Sequence, residues 1–114
     1  MPVSIAVVIR EDPRKTHRPV EALRIALGLS TGENPLTVIL LEEAPLLLTE
    51  DLDDVVDVEI LEKYLPSLKQ LEIPFVIQEG DRTRFSLDPD FAVREVSAQG
   101  IAELVASADR VLSF

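Results

Sequence analysis

Residues 22–49 constrain this 114-residue chain more than any other stretch. They read Ala-Leu-Arg-Ile-Ala-Leu-Gly-Leu-Ser-Thr-Gly-Glu-Asn-Pro-Leu-Thr-Val-Ile-Leu-Leu-Glu-Glu-Ala-Pro-Leu-Leu-Leu-Thr: an apolar helix, a turn and a buried strand. That order is half of a βαβ unit, and the rest of the chain continues it. Residues 3–9 form a short β-branched run, as expected of a strand covered on both faces. Pro19 suits the first turn of the helix that follows, where a missing N–H costs nothing. The helix is expected to reach about Thr31, with Gly32 just past its end in a left-handed conformation.

Residues 36–41 read as the second strand, and 44–48 as a short helix or an interface loop. Asp57 is placed to cap a helix carrying Val58, Leu61, Leu65 and Leu68, which Pro66 should kink or divide. Residues 74–78 form a third strand with proline at its first position. A long polar loop over 79–90, a fourth strand over 91–96 and a helix capped by Ser97 follow. Residues 111–114 make a fifth strand. Strands alternating with helices imply an α/β fold, a parallel sheet covered on both faces, in one domain over 1–114.

Charge narrows the function classes. The formal net charge is −10, which argues against binding nucleic acid through phosphate neutralisation. Cysteine is absent, so the chain can form neither a disulfide nor a thiolate metal site. No apolar run approaches the roughly 20 residues of a membrane span. Residues 3–9 are too short for a signal-peptide core and lack a basic flank. The expected setting is soluble and cytoplasmic. Arg10, Arg14, Lys15 and Arg18 form a basic cluster, while residues 50–62 are strongly acidic. A basic loop on an acidic body can hold an anion or pair with a neighbouring subunit. Simple solvation is the plainer reading.

Gly28-Leu-Ser-Thr-Gly32 matches the G-x-S-x-G pattern of a hydrolase nucleophile, but that motif needs a strand before it and a helix after it. Here it lies at a helix end, where Gly32 acts as a cap. His17 is the sole histidine, so a multi-histidine metal site is impossible. The loop after the first strand lies where α/β sheets hold ligands, yet it has no glycine to cradle a phosphate. Neither a cofactor nor a metal is expected. Glu42 and Glu43, adjacent on a strand, would point to opposite faces and cannot converge on one atom. Asp51, Asp53, Asp54 and Asp57 lack the calcium-loop spacing and read as an acidic turn before a helix. Leu46, Leu47 and Leu48 cannot all point inward from one short segment, and with Leu23 and Leu27 of the apolar first helix they form the expected interface. The expected ligand-binding set is Arg10, Arg14, Lys15, His17, Arg18, Glu42, Gln78 and Arg82, with Arg84 nearby.

Three stretches together resemble the DsrE/DsrF/DsrH family, whose members include the TusB, TusC and TusD proteins. They are residues 22–49, Leu71-Glu-Ile-Pro-Phe-Val-Ile-Gln78, and Ile101-Ala-Glu-Leu-Val-Ala-Ser-Ala-Asp-Arg-Val-Leu-Ser-Phe114. The resemblance implies a three-layer α/β/α fold with a five-stranded sheet in the order 4-3-2-1-5. It also implies homotrimers, homohexamers or hetero-hexamers with a cysteine-bearing paralogue. Sulfur-transferring members carry a persulfide on a cysteine at the end of the third strand, where this chain has Gln78. An amide cannot hold a sulfane sulfur. Leu-Glu-Glu-Ala-Pro is most similar to the DsrF- and TusC-like members, which depend less on that cysteine.

Two functional expectations follow. The first is a non-catalytic, oligomeric subunit linked to sulfur transfer. The second is a protein that binds a small anionic ligand in the crevice at the carboxyl ends of the strands. No constellation of residues defines a reaction.

Overall fold

The computed structural model describes residues 2–114. Its first strand, β1 (Ile5–Ile9), is buried along its whole length. It leads into helix α1 (Arg18–Leu29), which has Pro19 in its first turn. Strand β2 (Leu36–Leu40) follows, then a 3-10 turn over Ala44–Leu48 and helix α2 (Val58–Gln70). After β3 (Phe75–Gln78) come the one-turn helix α3 (Asp81–Arg84), β4 (Val93–Val96), helix α4 (Ala98–Ser107) and β5 (Arg110–Ser113). The five strands form one parallel sheet in the order β4-β3-β2-β1-β5. This is the expected architecture.

Alternation along each strand splits the core in two. Ile5, Val7, Ile9, Val38, Leu40, Phe75 and Ile77 face α1, α2 and the 3-10 turn. Ala6, Val8, Ile39 and Val76 face α4, of which Ile101 is the buried residue. One face of the sheet is thickly covered. The other carries a single helix, and that asymmetry leaves room for a cleft.

Several local expectations are corrected. Gly32 does not adopt positive φ; α1 ends instead with Ser30 Oγ donating to the Leu27 carbonyl and Thr31 Oγ1 to that of Gly28. The left-handed residue past a helix end is Glu72, after α2 (φ 52°). Asp57 precedes α2 with φ 62°, and its side chain makes no cap bond; its backbone carbonyl accepts from Ile60 and Leu61. Pro66 sits inside α2 without dividing it. The 79–90 loop is shortened by α3 and held by Asp88, whose N–H donates to the Leu48 carbonyl at 2.8 Å.

The interface expectation needs the largest correction. Leu23, Leu47 and Leu48 have no exposed surface, and only Leu27 and Leu46 retain some. The 3-10 turn makes this possible. It turns Leu47 and Leu48 under the sheet with Ala44, while Leu46 stays at the rim. The second partner of the apolar α1 is α2 of the same chain, and both helices contribute to one core. The large apolar side chains most exposed among the described residues are Ile60, Leu71, Val111 and Leu112.

Candidate functional site

The carboxyl ends of β1, β2 and β3 bring three residues together in a row. The pairs Ile9–Leu40 and Leu40–Ile77 set the register. One step further along stand Arg10, Leu41 and Gln78, with Leu41 N–H bonded to the Ile9 carbonyl at 2.9 Å. Strand spacing of about 4.8 Å places the Arg10 and Gln78 backbones roughly 10 Å apart, with Leu41 between them. All three follow residues that face α1 and α2, so alternation turns them to the α4 side.

There they line a cleft of about 440 Å³. Val8, Leu41, Ile101, Val105 and Val111 supply its apolar wall, and Ala98, Ala102 and Ala106 of α4 leave the space open. Ser113 and the Arg10 and Gln78 side chains are the polar groups. The Arg10 backbone N–H is bonded to the Phe114 carbonyl, and that of Gln78 to Asp81 Oδ2. Among the described residues, the guanidinium of Arg10 and the amide of Gln78 have no hydrogen-bond partner. Both strands are therefore pinned while the two side chains remain available.

Arg14, Arg18 and Arg82, also expected to bind a ligand, are engaged inside the molecule, as is the neighbouring Arg84. Arg14 makes a two-pronged bond to Asp12 (3.0 and 2.9 Å) and lies 3.7 Å from Glu43. Its guanidinium holds the Asp12 carboxyl below the usual carboxylate range, and the bond to Asp12 raises Arg14 in turn. Arg84 bridges Glu43 (2.9 Å) and the buried Asp81 (3.1 Å). Asp12, Arg14, Glu43, Arg84 and Asp81 thus form a continuous chain that ties together the loops after β1, β2 and β3. Arg82 lies along the sheet edge, donating to the Val93 carbonyl and pairing with Glu95 at 3.4 Å. Arg18 stacks over the Phe114 ring, 5.9 Å from its centroid. Lys15 and His17 are exposed, and Glu42 sits in a left-handed turn (φ 54°) with its side chain in solvent.

Of the eight residues expected from sequence, the cleft collects Arg10 and Gln78. Leu41, Val111, Ser113 and the alanines of α4 were missed. A signal was present: Arg10 and Leu41 stand directly after buried strands and Gln78 ends one, at equal phase.

These features define a DsrE-like α/β fold with a cleft at the carboxyl edge of the sheet. The chain is similar to a solved structure, the ychN protein from E. coli. The TM-score is 0.77 at 22% sequence identity, and all of both chains is covered. At that identity the likeness establishes the fold. No family model matches the chain, and no curated protein does. Among the described residues, no helix is long and apolar enough to cross a membrane. No three His, Asp or Glu side chains among them are grouped to hold a metal ion.

Proposed function

We propose that this chain is a non-catalytic, DsrF/TusC-like subunit that assembles with itself or with a cysteine-bearing paralogue in cytoplasmic sulfur transfer. The observation that carries the reading is Gln78. It ends β3 and lines the cleft, in a chain without any thiol. Persulfide exchange needs a thiolate that attacks the sulfane sulfur while the donor thiolate departs. Gln78 supplies neither a nucleophile nor a leaving group, so sulfur would have to be carried by a partner.

The edge strands support the assembly. On β4 the outward Val93 carbonyl is covered by Arg82, a common protection against unwanted strand pairing. On β5, Arg110 and Phe114 bond inward to Ser4, Val8 and Arg10. Alternation then turns the backbone groups of Val111 and Ser113 outward. Arg18 donates to the Ser113 carbonyl at 3.5 Å, while Val111 is 41% exposed and Leu112 37%, so this edge is apolar on both faces and open at Val111.

Native mass spectrometry of the tagged protein from its own cells tests the reading. A trimer or hexamer, alone or with a cysteine-bearing relative, is the expected result, with Val111→Asp reducing the mass to the monomer. A monomer at micromolar concentration with no co-purifying relative refutes it.

A further inference from the structure

We infer that the cleft between α4 and the carboxyl ends of β1 and β3 binds a small amphiphilic carboxylate, with its head on Arg10 and Gln78. This goes beyond the subunit reading and does not depend on it. The volume, about 440 Å³, falls in the range of small-molecule sites, which combine apolar walls with a few placed polar groups. The wall is Val8, Leu41, Ile101, Val105 and Val111, which suits an aliphatic or aromatic body.

Charge sets the class of head group. Arg10 is the one cation lining the cleft, while Arg14, Arg82 and Arg84 hold internal carboxylates. A single guanidinium matches a single carboxylate in a planar, two-pronged contact. A phosphate or nucleotide carries more negative charge than one arginine offsets, and the net charge of −10 repels it further. Gln78 adds an amide N–H from the far side of Leu41, and its amide oxygen can accept from a hydroxyl or amide on the ligand. The two side chains spring from backbones roughly 10 Å apart, so both can reach one head group held over Leu41.

The test uses octanoate on the full chain, with octanol and inorganic phosphate as controls, by calorimetry and by ligand-observed NMR. Octanoate is expected to bind at least ten times more tightly than octanol, and phosphate not to bind. Arg10→Gln should weaken octanoate at least tenfold without weakening octanol. Ala106→Phe, on the exposed side of α4, should block both by filling the cleft. Circular dichroism and native mass run on each variant keep loss of fold or of assembly separate from loss of the site. Octanoate binding unchanged in Arg10→Gln, or absent in the wild type because a second copy closes the cleft, overturns the inference.

Discussion

Leu47→Ala is the sharpest test of whether the Leu46–Leu48 run belongs to the core or to an interface. Leu47 and Leu48 are wholly buried within one subunit, against the face of the sheet that α1 and α2 cover. Truncation removes three carbons, worth about 2.4 kcal/mol at about 0.8 kcal/mol each. The cavity left behind raises the expected cost to about 3–4 kcal/mol. Stability of a chain this length is roughly 6–17 kcal/mol, so the loss is a large share of it. With a urea slope of about 1.5 kcal/mol/M, the unfolding midpoint should fall by about 2 M. Leu46→Ala, at the rim, should cost less than about 1 kcal/mol. Unfolding followed by circular dichroism at two protein concentrations a factor of ten apart separates the readings, because interface loss depends on concentration. A Leu47→Ala protein with a nearly unchanged midpoint but a smaller native mass would refute the core assignment.

Three further outcomes are expected. Glu72→Gly should stabilise the protein by about 1 kcal/mol, since Glu72 holds a left-handed φ at the end of α2 that glycine adopts freely; thermal unfolding reads it. Arg82→Ala should leave stability within about 1 kcal/mol of wild type, yet raise light scattering on storage, because it uncovers the Val93 carbonyl on the β4 edge. Lys69 lies 2.7 Å from Asp88, and that bond lowers the Asp88 pKa and raises that of Lys69. Because the folded carboxyl titrates below its unfolded value, its stabilisation is present at neutral pH and lost as pH falls below about 4. Lys69→Met should therefore cost about 0.5 kcal/mol at pH 7 and progressively less as pH falls below about 4, measured by urea titration across that range.

Strand positions were legible because parallel strands covered on both faces must be short apolar runs, and 5–9, 36–40 and 75–78 are such runs. The helix ends were not. A glycine marks where left-handed backbone is easiest, not where it occurs. Gly32 follows two hydroxyl residues that satisfy the last carbonyls of α1 by themselves. At Glu72 the geometry is dictated by the turn from α2 into Ile73, whose side chain is buried, and the local preference yields. Leu46–Leu48 misled for a related reason. The helix-or-loop alternative was open in the sequence, but a 3-10 turn buries neighbouring residues that an extended segment would point apart. The α1 packing against the turn is a long-range event.

The site was half legible, and the missing half follows from counting charge rather than free charge. Four cations within residues 10–18 look like an anion site, but the structure spreads them among different partners, and Arg18 is engaged by the Ser113 carbonyl and the Phe114 ring. Arg14 finds Asp12 two residues away. Arg84 reaches Glu43 and Asp81, which no spacing rule connects. Arg10 escapes because strand alternation turns it to the α4 side, whereas the Asp12–Asp81 chain occupies the loops beyond the strand ends. The same alternation turns Gln78 to that side, so these two polar side chains of the cleft are selected by phase along buried strands. In a chain this acidic, the informative cation is the one that register turns into the cleft without an ion pair, and that is the residue on which the ligand assignment stands.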